Sequence, residues 1–573
     1  MKKTIFSLLV AAIAISVLPS CIEETVPLEG AATSEQMAES SAAMKGSIDG
    51  MVAQTYQPYY FFGSDNQLEY DISYAGILIT YARMTNDFVN NSSTIGYDWW
   101  CGYCGAYGYS MNADTSRQLV PYMTFYKIIK SANDVIGPLA AVEDLNAEQK
   151  VFLGTAYVYR ALMYHDLYNA YLPALNKYTD CTAVEGLTVP IVVSSAEPEP
   201  ATKSARAPKA DLAAFVLADL DKAEALLDGY TPANNRYPGI PVVYGIKARM
   251  YLAMEDWEHA AEYARKAIDA SPDRKPLTEA QWTDPTKAFC DASGNSSWMW
   301  YYTISGNNMG NLCNPTGFLA GESDWGYNSL TQLSLQKWLY DRINRSDFRK
   351  KSFIDPDRTT YPSTYYRWTT KQSDGKTYLD SYHFEELPDY MCFKIRCKEG
   401  NWYDYATGGA VDWPIMRIEE MYLIEAEAIG MKDGEAAGAA KLENFMQTYR
   451  DPLYEYADAK ATFSQGFVKN FQEEVLFQKR IEFLGEGVGF FDAKRIRPGI
   501  KTWYAGSNTM HDTMKYVIDE VSPYWNWVIP TDEIENNPYI IKEGEVTSEK
   551  DGVMTTLNNP DPTKKVDNDT TEY

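Results

Sequence analysis

The sequence predicts a mostly α-helical protein, built on tetratricopeptide-like helical hairpins and interrupted by one large loop-rich insertion. Three observations lead there. Tyr244, Ala248, Tyr251, Ala260, Ala264, Ala267 and Pro272 fall on the offsets of a tetratricopeptide repeat, two helices meeting at a short turn through Glu255 and Asp256. Helix-compatible runs flank that repeat at about 117–172, 211–272 and 414–485. Between about 273 and 412, by contrast, Gly, Asn, Asp, Ser, Pro and aromatic residues dominate, and loops of that length in a compact protein usually carry function.

Taken in order, residues 1–20 read as a signal peptide. Lys2 and Lys3 precede an apolar run from Ile5 to Leu18, too short for a comfortable membrane span. The stretch Leu18-Pro19-Ser20-Cys21 resembles a lipobox, which makes Cys21 the expected lipidation site. Several acyl chains, each contributing ~0.8 kcal/mol per buried CH₂, would hold the chain to a membrane without a transmembrane helix. Ile22-Glu23-Glu24 resembles the surface-export signal of Bacteroidetes lipoproteins. Residues 21–45, small and polar, read as a lipidated N-terminus and tether, and 46–573 as a single domain.

Arg117 to Ile136 reads as an amphipathic helix stopped by Gly137-Pro138. Asn146 caps the next helix, which runs to Pro173. Residues 186–209, with Pro190, Pro198, Pro200 and Pro208, read as a surface loop, and helix returns from Asp211 to Leu227. In the 244–272 repeat the alanines let paired helices approach closely; Lys247 and Ala264 stand where Leu and Phe are expected. A second hairpin is expected over Ile418 to Phe445, turning near Lys432-Asp433-Gly434, and a helix from Phe463 to Leu484. One repeat cannot bury its apolar face alone, so several should stack. Inside the insertion, Leu330 to Ile343 is the one long periodic run, and the tail beyond about Ile541 is polar and loose.

Composition narrows the function. The chain carries 52 Lys and Arg against 78 Asp and Glu, a formal charge of −26, whereas a phosphate backbone must be met by clustered cations, so nucleic acid is not expected as a partner. No segment after the leader has the length and apolarity of a membrane span. With Cys21 lipidated, an odd seven cysteines remain, which excludes a complete disulfide framework. Cys101-x-x-Cys104 has no second CxxC or paired His, so a local bridge or two free thiols is expected there rather than a metal. The four histidines, His165, His259, His383 and His511, form no HExxH pattern, and neither a GxSxG elbow nor a phosphate loop accompanies them. No catalytic residue, cofactor or metal is therefore assigned.

Several motifs together resemble the SusD/RagB family of outer-membrane nutrient-binding lipoproteins. Tyr122-x-x-x-Tyr126-x-x-Ile129-x-x-Ala132-Asn133 is similar to its N-terminal helix motif. Arg417-Ile418-Glu419-Glu420-Met421-Tyr422-Leu423-Ile424-Glu425-Ala426-Glu427-Ala428 is similar to its best-known motif. Gln478-Lys479-Arg480-Ile481-Glu482-Phe483-Leu484-Gly485-Glu486-Gly487 with Phe491-Asp492-x-x-Arg495, and Trp527-x-Ile529-Pro530-x-x-Glu533-Ile534-x-x-Asn537-Pro538, complete the series. The resemblance implies an α-solenoid-like frame of four tetratricopeptide helix pairs with the ligand site in the loop-rich remainder. It also implies a cell-surface protein, lipid-anchored to the outer membrane, that captures a glycan and delivers it to a SusC-like TonB-dependent transporter. A binder of peptides or another non-glycan nutrient is the alternative, and a surface glycoside hydrolase a weaker one. Arg417 with Glu419 or Glu420 is expected to make ion pairs within the frame.

Glycan recognition needs flat apolar ring faces with polar groups around them, which Trp and Tyr supply at low entropy cost. The densest such stretch runs from Tyr97 to Tyr109, and within it Tyr97, Asp98, Trp99, Trp100 and Tyr103 are the leading ligand candidates; the alternative puts Trp99 or Trp100 in the core. In the insertion, Trp300 and Tyr302 are candidates, although the alternation in Trp298-Met299-Trp300 favours a half-buried strand, and Trp325 reads as an exposed loop aromatic. Asn91, with Asp87, Asn90 and Asp98, is a candidate for hydroxyl contacts.

Overall fold

The protein is described here as a computed structural model covering residues 34–56, 72–91, 116–177, 181–194, 205–304, 314–361, 371–462, 470–502, 504–510, 517–518 and 521–540. The helical frame consists of α1 (Ser34–Glu39), α2 (Ser41–Ala53), α3 (Ser73–Met84), α4 (Ser116–Ala140), α5 (Ala147–Tyr171), α6 (Lys209–Leu226), α7 (Ile240–Ala253), α8 (Trp257–Asp269), α9 (Ile418–Asp433), α10 (Glu435–Tyr449), α11 (Phe471–Glu482) and α12 (Gly489–Ile496). From α4 to α10 each helix packs on the next, and α11 lies across α9 and α10, which is the stacked-hairpin frame expected from the repeat.

The local chemistry of the stack matches its sequence. Asn146 closes a capping box with Gln149 at the start of α5. In the α7–α8 hairpin, Asp256 caps α8 while Glu255 turns through φ 59°, and Ala248, Ala260, Ala264 and Ala267 have no exposed surface. Lys247, standing where a Leu was expected, is itself buried: its ammonium pairs with Asp221 at 2.6 Å and with Glu224, and lies 4.8 Å from the Tyr263 ring. Despite its desolvation, those contacts push its pKa up. The α9–α10 turn falls at Gly434, in a conformation (φ 103°, ψ 155°) essentially reserved for glycine. Just beyond it the two helices almost touch, since a Cβ on Gly438 would lie 2.4 Å from the Gly430 Cα.

Three expectations are corrected, and a fourth lies partly outside the described residues. Helices α1 and α2 occupy residues assigned to the tether, and Met44 has no exposed surface, so packing begins before residue 46. α4 runs through Gly137-Pro138: the proline removes only the one bond its N–H would have made to the carbonyl four residues earlier, in the last turn of a 25-residue helix. The run from Leu330 to Ile343 is broken rather than continuous, because Gln332 takes a left-handed conformation (φ 45°) between short helices at Gly326–Thr331 and Lys337–Arg342. The helix expected from Phe463 is described from Phe471, residues 463–469 lying outside the described set.

The insertion is rooted by an antiparallel ladder. β2 (Trp298–Thr303) enters it and β4 (Asp412–Arg417) leaves it, with Trp298 opposite Arg417 and Thr303 opposite Asp412. A two-residue ladder between β1 (Phe88–Val89) and β3 (Ser334–Leu335) ties the N-terminal segment to the same insertion. Where insertion and frame meet, charges are buried together. The Glu482 carboxylate receives Arg450 at 2.7 and 2.8 Å, Arg349 at 3.1 Å and Arg417 at 3.2 Å. Arg417 also pairs with Glu419 at 3.1 Å and Glu486 at 2.8 Å, while Glu420 holds Arg249 at 2.6 Å. The ion-pair role expected for Arg417, Glu419 and Glu420 is thus seen.

Candidate functional site

The outer part of the insertion is assembled around Trp402. Its indole is buried and meets the rings of Tyr378 (5.3 Å, 86°), Tyr382 (6.4 Å, 74°) and Tyr403 (5.6 Å, 85°) edge to face. Tyr378 and Tyr382 stack on each other at 4.6 Å because they stand one turn apart at the start and end of the short helix Tyr378–Ser381, which Thr377 and Asp380 open with a capping box. Asp324 joins this cluster from the other side: its backbone N–H donates to the Trp402 carbonyl at 2.8 Å, and its carboxylate accepts the Tyr382 hydroxyl. Burial and that carboxylate push the Tyr382 hydroxyl pKa up, so it acts as a donor at neutral pH.

Next to Trp402 the chain turns outward. Tyr403 and Tyr405 are 37% and 38% exposed, whereas Trp402 and Tyr378 are buried. Asp404 between them caps the helix Tyr405–Gly408, accepting from Ala406 N and from Thr407 Oγ1 at 2.9 Å. That helix rests on Trp325, since a Cβ on Gly408 would lie 2.7 Å from the indole. The result is a floor of interlocked rings bearing two solvent-facing tyrosines, flanked by the exposed carboxylate of Asp324. Such a surface offers ring faces for stacking and oxygens for accepting hydroxyl hydrogens, with little side-chain freedom left to lose on binding.

The residues picked out by sequence fare unevenly. Tyr97, Asp98, Trp99, Trp100 and Tyr103, with the rest of the 97–109 stretch, lie outside the described residues, as does Cys21. Trp300 and Tyr302 are corrected: both are fully buried in β2, Trp300 against Tyr159 at 5.1 Å and Tyr302 stacked on Tyr56 at 6.0 Å, so neither presents a face to a ligand. Trp298-Met299-Trp300 does form a strand, but all three residues are buried rather than alternating between core and solvent. Trp325 is corrected too, for it is 7% exposed and its Nε1 donates to Asn314 Oδ1 at 3.1 Å; it supports the floor rather than offering its own face. Asn91 spends its amide on Gln332 O at 2.5 Å and Ser334 Oγ at 2.6 Å. Asp87 is buried against Arg480 at 2.6 Å.

Sequence reasoning missed Tyr382, Tyr403 and Tyr405. The signal was present in Asn401-Trp402-Tyr403-Asp404-Tyr405, a run mixing aromatic and polar residues without period, though shorter and poorer in aromatics than the 97–109 stretch.

Fold and site define a class: a tetratricopeptide-like helical frame holding out a broad, loop-built, aromatic face. The chain belongs to the SusD/RagB family, matching the SusD family over residues 287–551 and a second family, described as starch-binding associating with outer membrane, over residues 33–252. Solved structures share the fold. A SusD-like carbohydrate binding protein from Bacteroides vulgatus superposes with a TM-score of 0.62 at 17% identity, covering 87% of this chain and 97% of its own. A SusD superfamily protein from Bacteroides thetaiotaomicron gives 0.61 at 18%, covering 88% and 99%. Surface glycan-binding protein A from Bacteroides thetaiotaomicron, in complex with laminarihexaose, gives 0.57 at 14%, covering 86% and 97%. No curated protein sequence matches the chain. Among the described residues no helix is long and apolar enough to cross a membrane.

Proposed function

We propose that this chain is a surface lipoprotein, anchored through Cys21, that captures a glycan on the insertion and delivers it to a SusC-like TonB-dependent outer-membrane transporter. The observation that carries this reading is the pair of solvent-facing tyrosines, Tyr403 and Tyr405, on a floor fixed by Trp402, Tyr378 and Trp325. Two or three stacked rings with hydrogen bonds account for the −4 to −8 kcal/mol of about millimolar to micromolar binding. The 97–109 stretch is proposed to extend the same face. In its support, the backbone N–H of Asn91, six residues before Tyr97, donates to Thr331 O at 2.9 Å, in the short helix whose cap is Trp325.

The test is retention on immobilised polysaccharides and a glycan array, comparing the mature protein with Tyr403→Ala and Tyr405→Ala. Binding of at least one glycan, weakened several-fold in either variant, supports the reading. A blank array together with retention of peptides moves the ligand class to peptides, and release of reducing ends at a catalytic rate rejects a pure binder. Co-purification of a TonB-dependent barrel from outer membranes tests the delivery step, and loss of membrane association in Cys21→Ala tests the anchor.

A further inference from the structure

Two buried thiols meet near the root of the insertion, apart from the tyrosine floor. Among the described residues, Cys181, Cys290, Cys392 and Cys397 are all buried and unbridged. Cys181 lies 3.8 Å from Asn526 Nδ2, and the Cys392 N–H donates to Leu333 O at 2.9 Å. Cys290 and Cys397 are instead drawn toward each other.

The chain around Cys397 is laced to the chain around Cys290. On one side of Cys397, Arg396 N–H donates to Ala288 O at 3.2 Å; on the other, Glu399 N–H donates to Thr286 O at 2.9 Å. The Cys290 thiol turns back onto that same Thr286 carbonyl, with Sγ 3.5 Å from the oxygen, so it stands beside the segment that carries Cys397. Segments joined by backbone hydrogen bonds run about 5 Å apart, inside the Cα separation of about 4.4–6.8 Å that a disulfide needs. Glu322 closes the spot: it accepts Cys397 N–H at 2.9 Å and is held by Arg396 at 2.9 and 2.6 Å. Asp412 N–H, at the start of β4, donates to the Cys290 carbonyl at 2.9 Å, which places the pair where the insertion is rooted. Neither cysteine has any exposed surface. Burial and Glu322 push both thiols up, and Cys290 raises Cys397 further, as expected of two sulfurs in one enclosed site.

We propose that Cys290 and Cys397 are a disulfide-forming pair, closed during folding by an oxidant that itself carries a disulfide, such as glutathione disulfide or a dithiol oxidase of the cell envelope. The thiolate of one cysteine attacks the oxidant's S–S bond, forming a mixed disulfide and expelling one oxidant thiolate. The second cysteine then attacks the protein sulfur of that mixed disulfide and expels the other. The protein loses two protons and two electrons, and the oxidant takes them up as two thiols. Only the thiolate is nucleophilic, and in the folded chain burial disfavours it and shuts the oxidant out. The bond therefore forms while this region is open and is then sealed. It closes a loop of about 100 residues and fixes the root of the part that carries the tyrosine floor. The oxidising compartment rests on the proposed export of the chain; refolding in vitro tests the pairing without it.

The experiment is refolding of the denatured mature protein with reduced and oxidised glutathione, or with excess reductant, followed by alkylation in denaturant and peptide mass spectrometry. Oxidative refolding should yield a peptide joining Cys290 to Cys397, lost on reduction, while Cys181 and Cys392 are alkylated. The oxidised protein should melt about 4 °C above the reduced one, the shift expected for closing a loop of that size in a chain of this length. Most of that shift should be lost in Cys290→Ala/Cys397→Ala; should the variant not fold, the linked peptide of the parent protein decides. The proposal is overturned if Cys290 and Cys397 are both alkylated after oxidative refolding, if links to Cys181 or Cys392 are as abundant as the expected one, or if the double variant keeps the full shift. A linked peptide formed in vitro but absent from protein isolated from cells overturns the export reading and leaves the pairing standing.

Discussion

Replacing Glu482 by Gln keeps the shape of the side chain and removes one negative charge from beneath three guanidinium groups. In the native protein its two oxygens receive Arg450 twice, Arg349 once and Arg417 once, and none of these residues has more than 1% of its side chain exposed. Water cannot replace the lost charge. Removing one partner of a buried pair costs about 3–5 kcal/mol, because the charges left behind stay desolvated. An unfolding entropy of about 2.1 cal/mol/K per residue gives roughly 1.2 kcal/mol/K for a chain of this length, so Tm should fall by about 2.5–4 °C. Calorimetry at pH 7 measures this directly. The pH dependence adds a second arm. Burial alone would raise the Glu482 carboxyl, but Arg450, Arg417 and Arg349 overcome it and hold the pKa well below the ordinary 4.5. The stability it contributes is therefore complete above about pH 4.5 and fades as the pH falls toward the folded-state value. The gap between parent and Glu482→Gln should narrow on acidification below 4.5. An unchanged Tm at pH 7, or a gap that widens in acid, would refute this account of the junction.

Three further outcomes are expected. Lys494 is pushed down from 10.5 to about 7 by burial while its ammonium donates to Asn169 O and Ala170 O at 3.0 and 2.8 Å. Between those two pH values the unfolded chain binds the extra proton, so stability should rise with pH across that window and flatten there in Lys494→Met, as urea denaturation at several pH values would show. Gly434→Ala meets no atom within 4 Å but must hold φ 103°, so it should cost about 1–3 kcal/mol through backbone strain alone, and a melting curve matching the parent would exclude that strain. Trp99→Ala or Trp100→Ala should weaken glycan retention at least several-fold without unfolding the protein; unchanged affinity in both would remove the 97–109 stretch from the proposed face.

Wherever helices pack by period, the frame was legible in advance. The alanines of α7 and α8, the Asn146 cap and the Gly434 turn all announce themselves locally, because each satisfies a requirement of the adjacent few residues. What could not be read was set by distant partners. Trp300 reads locally as part of a half-buried strand and Trp325 as a loop aromatic, and only the pairing of β2 with β4, and of Trp325 with Asn314, decides that both are interior. Gly137-Pro138 misled for a related reason: the stop signal is real in isolation, but packing of α4 against α5 outweighs a single missing hydrogen bond. Tyr403 and Tyr405 gain their meaning from Trp402 beneath them, which is itself fixed by Tyr378 some two dozen residues earlier in the chain.

The clasp of buried charge between insertion and frame has a mechanical consequence. Arg349 and Lys394 come from the insertion, and both reach Glu482 on α11, Lys394 through the carbonyl at 2.7 Å. A part bolted on at its root in this way behaves as a stiff lever: torque applied at its outer tip turns the whole molecule instead of bending a hinge. A load applied at the tyrosine floor would then be carried by the frame as a whole instead of being absorbed at the root of the insertion.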